Sequence, residues 1–351
     1  MIFKISSDLI QKVWTDFLLQ SLRYYVIIWG NIGFKGIFYL MSRKLKGNLM
    51  LLITAFIWGT AFVAQSEGMN YVGPFTYSTA RTILGGFVLI PVILFFKKGV
   101  KTSPQTDKFS LKETVKGGII CGIVLFFASS LQQVGISMTT AGKAGFISAI
   151  YIIAVPVAEF FIYRKKSVFV WICALIAFAG LYLLCVNEGL KINKGDLIVL
   201  ISAFCFTVHI MVIDRFNSRN ADGMIMSCIQ FFTAAIFMSA AMFIFEEPHI
   251  NDIFAAKYTI LYAGVMSSGV AFTLQILGQR YADPTSASLI MSLESVFAAL
   301  SGWLLLNELM SPKEFTGCIL VFAAVILAQL KDRKKDTPES EKGEIYEKAS
   351  E

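Results

Sequence analysis

Three charged residues interrupt long apolar stretches of the sequence and are the first candidates for chemistry: Glu294, Arg81 and Lys143. A charge near the middle of a bilayer costs about 2.5–3.5 kcal/mol on insertion scales, so it needs a partner or a wet cavity. We predict that the Glu294 carboxylate binds a cationic group or a proton. The alternative is that Glu294 is a buried residue hydrogen-bonded to neighbouring helices. We predict that the positive charges of Arg81 and Lys143 bind a carboxylate or phosphate. The alternative is that both side chains only extend to the membrane interface.

Uncharged polar and aromatic residues in the same stretches form a second group of candidates. His209 is either a proton carrier or a hydrogen-bonded core residue. Gln132 and Gln275 would hydrogen-bond a substrate or hold helices together. Trp58 and Tyr151 would line a cavity or fill an aromatic core. Together with the three charged residues, these five form the predicted substrate-binding set.

No pattern of a catalytic, metal or cofactor site accompanies these residues. The sequence contains no H-E-x-x-H or G-x-S-x-G signature. Lys143 does not belong to a phosphate-binding loop, because Ser137 and Ala144 occupy positions that need Gly and Ser or Thr. The cysteines lie in apolar segments without a C-x-x-C pair, which favours packing over metal binding or disulfides. We therefore predict no catalytic residue, no metal site and no cofactor.

The composition indicates that the bilayer is the solvent for most of the chain. Of the 351 residues, 56% are hydrophobic and 16% are charged, whereas soluble domains average about 25% charged residues. The mean hydropathy is +0.66. A membrane helix needs about 20 mostly apolar residues, and ten such runs are readable. They span residues 48–67, 75–96, 117–136, 141–163, 168–186, 196–214, 223–245, 257–279, 285–306 and 314–330.

The Lys and Arg residues occur in short clusters between these runs. This distribution of the +7 net charge argues against a nucleic-acid surface. The clusters fall mainly in alternate loops, and positively charged loops face the cytoplasm. The pattern predicts a multi-pass protein of the plasma (inner) membrane, with both ends of the ten-helix bundle in the cytoplasm.

Two segments lie outside the ten runs. Residues 1–46 form an N-terminal extension, which is an interfacial helix, an eleventh span or a translated leader before a start at Met41. The last reading is favoured, because Met41 is followed at once by a basic cluster and the first clean span. Residues 331–351 form a charged cytoplasmic tail that is expected to be disordered.

An internal repeat divides the runs into two halves. The LQxxG sequence of residues 131–135 recurs at 274–278, which is 143 positions later, and residues 53–56 resemble 201–204, which is 148 positions later. Chance similarity between apolar segments is the alternative, although glutamine is costly in lipid. We predict five-helix repeats at 47–187 and 195–330. Because five helices start on one side and finish on the other, the second repeat must be inverted, as is typical of secondary transporters.

Several motifs carry a resemblance to a known family. They are Trp58-Gly59, Pro74 followed by Arg81, residues 142–146, residues 271–275, and Glu294 through Glu308. Over residues 45–330 they resemble the EamA-type branch of the drug/metabolite transporter superfamily. The resemblance implies an all-α membrane protein of ten transmembrane helices in two inverted repeats around a solute cavity. It also implies export or exchange of amino acids, nucleobases or related metabolites.

The sequence departs from that family in the fourth and ninth spans. The family often has a proline in the middle of each, whereas here Pro156 is shifted and Ser295 replaces the second proline. The helix geometry at both points is therefore open.

The resulting prediction is a secondary transporter of a small organic metabolite, such as an amino acid, a nucleobase or a drug-like compound, that works by alternating access. Its partners would be the substrate and the lipid bilayer, with no nucleic acid. Coupling to a proton or a counter-substrate, and a homodimer, are both compatible with the sequence. A membrane-embedded lipid-modifying enzyme is the rival. It would need a cluster of ionisable groups at one interface, which the sequence does not provide.

Overall fold

The computed structural model describes residues 42–99, 109–139, 141–164, 168–185, 193–306 and 311–335. Within these ranges the regular secondary structure is helical throughout, without a strand. The predicted extension up to residue 41 and the tail from residue 336 lie outside the described residues. The last helix continues through Lys335, into the first part of the segment that was expected to be disordered.

The chain forms fourteen α-helices and one π-helical segment over the described residues. The first half contains α1 (Arg43–Gly68), α2 (Pro74–Gly99), α3 (Leu111–Ile136), α4 (Ala141–Ser148), α5 (Tyr151–Tyr163) and α6 (Val168–Cys185). The second half contains α7 (Lys194–Asn217), α8 (Gly223–Phe245), α9 (Ile250–Ala255), α10 (Lys257–Tyr262), the π segment (Ala263–Phe272), α11 (Thr273–Gly278), α12 (Pro284–Met291), α13 (Leu293–Leu306) and α14 (Pro312–Lys335).

Seven helical stretches of the described chain are long and apolar enough to cross a membrane. They are Arg43–Gly68, Pro74–Leu94, Leu111–Ile136, Lys143–Tyr163, Lys194–Asn217, Gly223–Phe245 and Lys257–Gly278. The apolar parts of α6 and α14 are shorter, and the ninth predicted run is divided into α12 and α13. Large apolar side chains cover the outside of the bundle, with Phe161, Phe243 and Ile244 each more than 70% exposed. The chain is therefore a multi-pass membrane protein, and the full count of ten crossings stays a prediction.

The fourth and ninth predicted runs break at equivalent positions, and neither break contains a proline. Residues 149 and 150 separate α4 from α5, and Ser292 separates α12 from α13. Positions 149 and 292 are 143 apart, which is the repeat offset found in the sequence. At both breaks the backbone tightens into i→i+3 hydrogen bonds, such as Ser295 N–H to the Ser292 carbonyl at 3.2 Å. The Ser292 hydroxyl also donates to the Leu289 carbonyl at 2.8 Å, a type of side-chain bond that bends helices.

Helix packing joins the two predicted repeats in a reciprocal pattern. The second helices of the repeats, α2 and α8, pack against each other, as do the fifth helices, α6 and α14. The third helix of the first half, α3, packs against α7, which begins the second half. In return, α1 packs against the π segment and α11, which form the third span of the second half.

Contacts between helix ends define two ends of the bundle. At the Pro74 end, which takes its name from the first residue of α2, Glu246 contacts the start of α2 and Thr139 contacts Asp196. At the opposite, Pro284 end, the Ser110 N–H donates to the Asn220 carbonyl at 2.9 Å. Consecutive long helices run from one of these ends to the other.

Candidate functional site

The two helix breaks bring Tyr151 and Glu294 together at the centre of the bundle. Tyr151 is the first residue of α5, and Glu294 lies in the first turn of α13. The Tyr151 hydroxyl donates to Glu294 Oε1 at 2.9 Å, and both side chains are buried. A carboxylate in the first turn of a helix is stabilised by the positive end of the helix dipole. The break therefore supplies part of the stabilisation that a buried carboxylate needs.

A small cavity lies beside this pair. It is lined by Trp58, Phe62, Gln65, Arg81, Ser129, Gln132, Tyr151, Phe206, Ser267, Phe272 and Glu294. Its volume is about 30 Å³, enough for one or two water molecules. Pockets that hold small organic ligands measure about 300–1,000 Å³. The cavity is therefore closed to such ligands in this conformation.

Arg81 brings a positive charge to the cavity wall. The side chain projects from α2, seven residues after Pro74, and only 3% of the residue is exposed. Its buried Nε has no hydrogen-bond partner in the described part of the chain, and no carboxylate there forms an ion pair with its guanidinium. A buried charge without a counter-ion is costly. An anionic group in the cavity would remove that cost.

Aromatic rings form much of the remaining wall. The Trp58 Nε1–H donates to the Ser267 carbonyl at 3.4 Å. The Trp58 ring also meets Phe272 edge-on, with centroids 4.8 Å apart. Phe272 ends the π segment, and π-helical turns often occur at functional sites. These rings give the cavity an apolar part of its wall beside its charged groups.

The repeat-related glutamines have different surroundings. Gln132 lines the cavity and its Nε2 donates to the Ser148 hydroxyl at 3.0 Å. Gln275 is buried away from the cavity, and its Oε1 has no hydrogen-bond partner among the described residues. Met291 occupies the position equivalent to Ser148, so the second repeat lacks the hydroxyl that Gln132 uses.

Two further members of the predicted set also lie outside the cavity lining. The Lys143 side chain is 38% exposed, and its Nζ lies 3.9 Å from Asp196 Oδ2. His209 is fully buried, and its Nε2 is 3.1 Å from Gln230 Oε1. The structure thus brings together five of the eight predicted residues, and the binding roles of all eight stay predictions.

Six residues that line the cavity were missed by the sequence analysis. They are Phe62, Gln65, Ser129, Phe206, Ser267 and Phe272. The repeat offsets contained a signal for two of them, because Phe206 is 148 positions after Trp58 and Phe272 is 143 positions after Ser129. The described ranges contain no group of three or more His, Cys, Asp or Glu residues that could hold a metal ion.

Several known proteins resemble this chain. An uncharacterized transporter from Archaeoglobus fulgidus is 29% identical over 293 residues, which cover 82% of this chain and 87% of the relative. The uncharacterized transporter YoaV from Bacillus subtilis is 23% identical, covering 80% and 96%. The S-adenosylmethionine uptake transporter from Rickettsia prowazekii is 18% identical, covering 72% and 82%.

A solved crystal structure shares the fold. It superposes with a TM-score of 0.67 at 17% identity, covering 83% of this chain and 99% of that chain. A model of the EamA-like transporter family matches twice, at residues 45–186 and 193–330. These matches place the protein among membrane transporters rather than enzymes. The chain belongs to the EamA-like transporter family.

Proposed function

We propose that this protein is a secondary transporter that moves a small zwitterionic metabolite, such as an amino acid, across the membrane by alternating access. The observation that carries the proposal is the pair of opposite charges on one closed central cavity. Arg81 lacks an ion-pair partner among the described residues, and Glu294 lines the same cavity. A substrate with a carboxylate and an ammonium group would complement both.

The fold supports alternating access through its symmetry. We propose ten membrane-crossing segments, arranged as inverted repeats at 47–187 and 195–330. The Tyr151–Glu294 hydrogen bond joins residues 143 positions apart, which is the repeat offset. Equivalent residues that touch each other must lie close to the axis relating the repeats. The two halves can then exchange conformations about a fixed central site.

The size of the cavity indicates how transport would proceed. A cavity of about 30 Å³ is too small for an organic metabolite. We take this conformation as an occluded state without substrate. Opening toward either end would enlarge the space between α1, α2 and α13, from which Trp58, Arg81 and Glu294 project.

The aromatic wall and Gln132 favour a substrate with an apolar or ring-containing part. The relative named an S-adenosylmethionine uptake transporter is named for a compound that carries both a carboxylate and an ammonium group. A nucleobase would use Gln132 and the aromatic rings but not the two opposite charges. We further propose that the chain enters and leaves the ten-helix bundle on the cytoplasmic side, and that a proton or counter-substrate drives uphill transport.

Flux measurements in proteoliposomes test the proposal. The wild-type protein should accumulate or exchange at least one radiolabelled amino acid. Arg81→Ala should reduce this flux by about tenfold or more, because the substrate carboxylate would lose its charged partner, and Arg81→Lys should restore part of it. Glu294→Gln should reduce flux of zwitterions more than flux of uncharged nucleobases.

Arg219→Ala is the matched control, because it removes an exposed arginine that pairs with Glu113 at 3.2 Å. It should leave flux unchanged. Thermal unfolding of each variant in detergent would exclude loss of fold. Normal amino-acid flux in a folded Arg81→Ala protein would contradict the assignment of substrate.

A further inference from the structure

A carboxylate from the second half of the chain caps a helix of the first half at the Pro74 end. Glu246 follows the last residue of α8. Its Oε1 accepts a hydrogen bond from the Phe75 N–H at 2.8 Å. Its Oε2 accepts from the Thr76 N–H at 2.7 Å and from the Thr76 hydroxyl at 2.6 Å. The first turn of α2 is therefore held by a residue of α8's C-terminal end, about 170 positions away in sequence.

Gly73 makes room for this contact. A Cβ at that position would lie 2.6 Å from each Glu246 carboxylate oxygen. The corresponding helix of the second half, α8, is capped differently. Asp222 precedes it and accepts from its own helix, from the N–H groups of Met224 and Ile225. The absence of a side chain at Gly73 thus allows the cap of α2 to come from another helix.

A second carboxylate makes a contact of the same kind at the Pro284 end, but here the carboxylate comes from the first half and the helix from the second half. Glu159 lies in α5, in the first half, and only 4% of it is exposed. Its Oε2 accepts from the Thr285 N–H at 3.2 Å and from the Thr285 hydroxyl. Thr285 belongs to the first turn of α12, in the second half.

The two contacts share their chemistry. In each, a glutamate binds the backbone and hydroxyl of a threonine in the first turn of a helix that starts with proline. A carboxylate at a helix N-terminus gains from both the free N–H groups and the helix dipole. Each contact joins equivalent spans of the two predicted repeats: α2 with α8, and the broken fourth span of the first repeat, through α5, with the broken fourth span of the second, through α12. Both are formed here, and the central cavity is closed.

We propose that Glu246 and Glu159 are the two latches of the transporter, which close the Pro74 end and the Pro284 end of the cavity respectively. The closed state has both latches formed, and opening toward one end releases the latch at that end. This inference rests on the alternating-access function proposed above. It adds that each latch is a carboxylate from one repeat that caps the N-terminus of a helix in the other repeat.

One-sided cysteine labelling tests the latches without requiring transport. The reporter is Ser129→Cys, which faces the cavity, in a protein whose six native cysteines are replaced. A membrane-impermeant maleimide is added from one end at a time, in vesicles of either orientation. Glu246→Gln should raise the labelling rate from the Pro74 end by about fivefold or more and leave the rate from the Pro284 end unchanged. Glu159→Gln should do the reverse.

Two further sets of variants control for fold and for charge. Thr76→Val and Thr285→Val remove one hydroxyl donor from each latch without changing a charge, and should act in the same directions with smaller effects. Glu67→Gln is the matched control at the Pro74 end, because within the described ranges the Glu67 carboxylate bonds only the nearby Asn70 and Tyr71. It should leave both rates unchanged.

The outcomes separate this inference from the proposed function. One-sided increases in labelling support the latches even if no flux is found for any amino acid. Unchanged labelling in both glutamine variants, or equal increases from both ends, overturns the latches even if transport is normal. An increase in Glu67→Gln as large as in Glu246→Gln would also overturn them.

Discussion

The breaks between α4 and α5 and between α12 and α13 have equivalent backbones but different chemistry. Each break occurs at the same position of its repeat. The first is followed by Tyr151 and the second by Glu294, so a phenol faces a carboxylate across the centre. In the proposed mechanism, the symmetry of the backbone would allow two conformations of equal type. The asymmetry of the side chains would then favour one orientation of the substrate.

The two breaks also differ in how closely α1 packs against the helix beside each of them. A Cβ on Gly59 of α1 would lie 2.5 Å from the Glu294 carbonyl oxygen and 2.9 Å from the Ala298 nitrogen. A Cβ on Gly145 of α4 would meet only the Phe62 ring, at 3.9 Å. The second break is therefore fixed by close backbone contact, whereas beside the first there is room for a methyl group at ordinary van der Waals distance.

We expect the largest effect from adding a methyl group at these two glycines. Gly59→Ala should lower the free energy of unfolding by about 1–3 kcal/mol or more, because α1 must move away from α13. Gly145→Ala should be neutral or raise it by up to about 1 kcal/mol, because alanine favours the helix. Denaturant titration of the purified proteins measures both. Equal destabilisation by the two substitutions would show that the breaks are packed alike.

Tyr151→Phe probes the asymmetry of the central pair, with an intermediate effect. The substitution removes the donor to Glu294 and leaves a buried carboxyl group with one hydrogen bond fewer. We expect a loss of about 1–3 kcal/mol in the free energy of unfolding. Glu294→Gln keeps a side chain of the same shape that can still accept from Tyr151, and should cost less. A stability loss in Tyr151→Phe that persists unchanged in a Glu294→Leu background, which has no acceptor for the tyrosine hydroxyl, would show that the two residues do not interact energetically.

The sequence predicted the helical class and the two candidate charges, Arg81 and Glu294, for the same physical reason. Polar groups inside a membrane are expensive, so their positions in apolar runs are informative. Arg81, Gln132 and Glu294 were predicted in this way, Trp58 and Tyr151 were predicted as aromatic residues of the same runs, and all five line the cavity. Their role in binding is still a prediction.

The helix breaks and the sealed ends could not be predicted from the sequence. No proline marks the breaks: tightened backbone hydrogen bonds occur at both, and the Ser292 hydroxyl bonds its own helix at the second. Lys143 lies beside Asp196 of α7, a residue far along the chain. Glu159 of α5 binds Thr285 of α12, 126 positions further along the chain. Contacts of this kind depend on how helices are packed, which periodicity does not reveal.

The smallest expected effect concerns the repeat-related glutamines. Gln132→Leu should lower the free energy of unfolding by about 1 kcal/mol, because it breaks the bond to Ser148 and leaves that hydroxyl in apolar surroundings. Gln275→Leu should be neutral or stabilising, because the oxygen it removes is buried without a partner in the described chain. Flux should fall only in Gln132→Leu, since Gln275 lies outside the cavity lining. Denaturant titration and proteoliposome flux distinguish the pair, and a flux loss in Gln275→Leu would mean that the second glutamine reaches the substrate in another conformation.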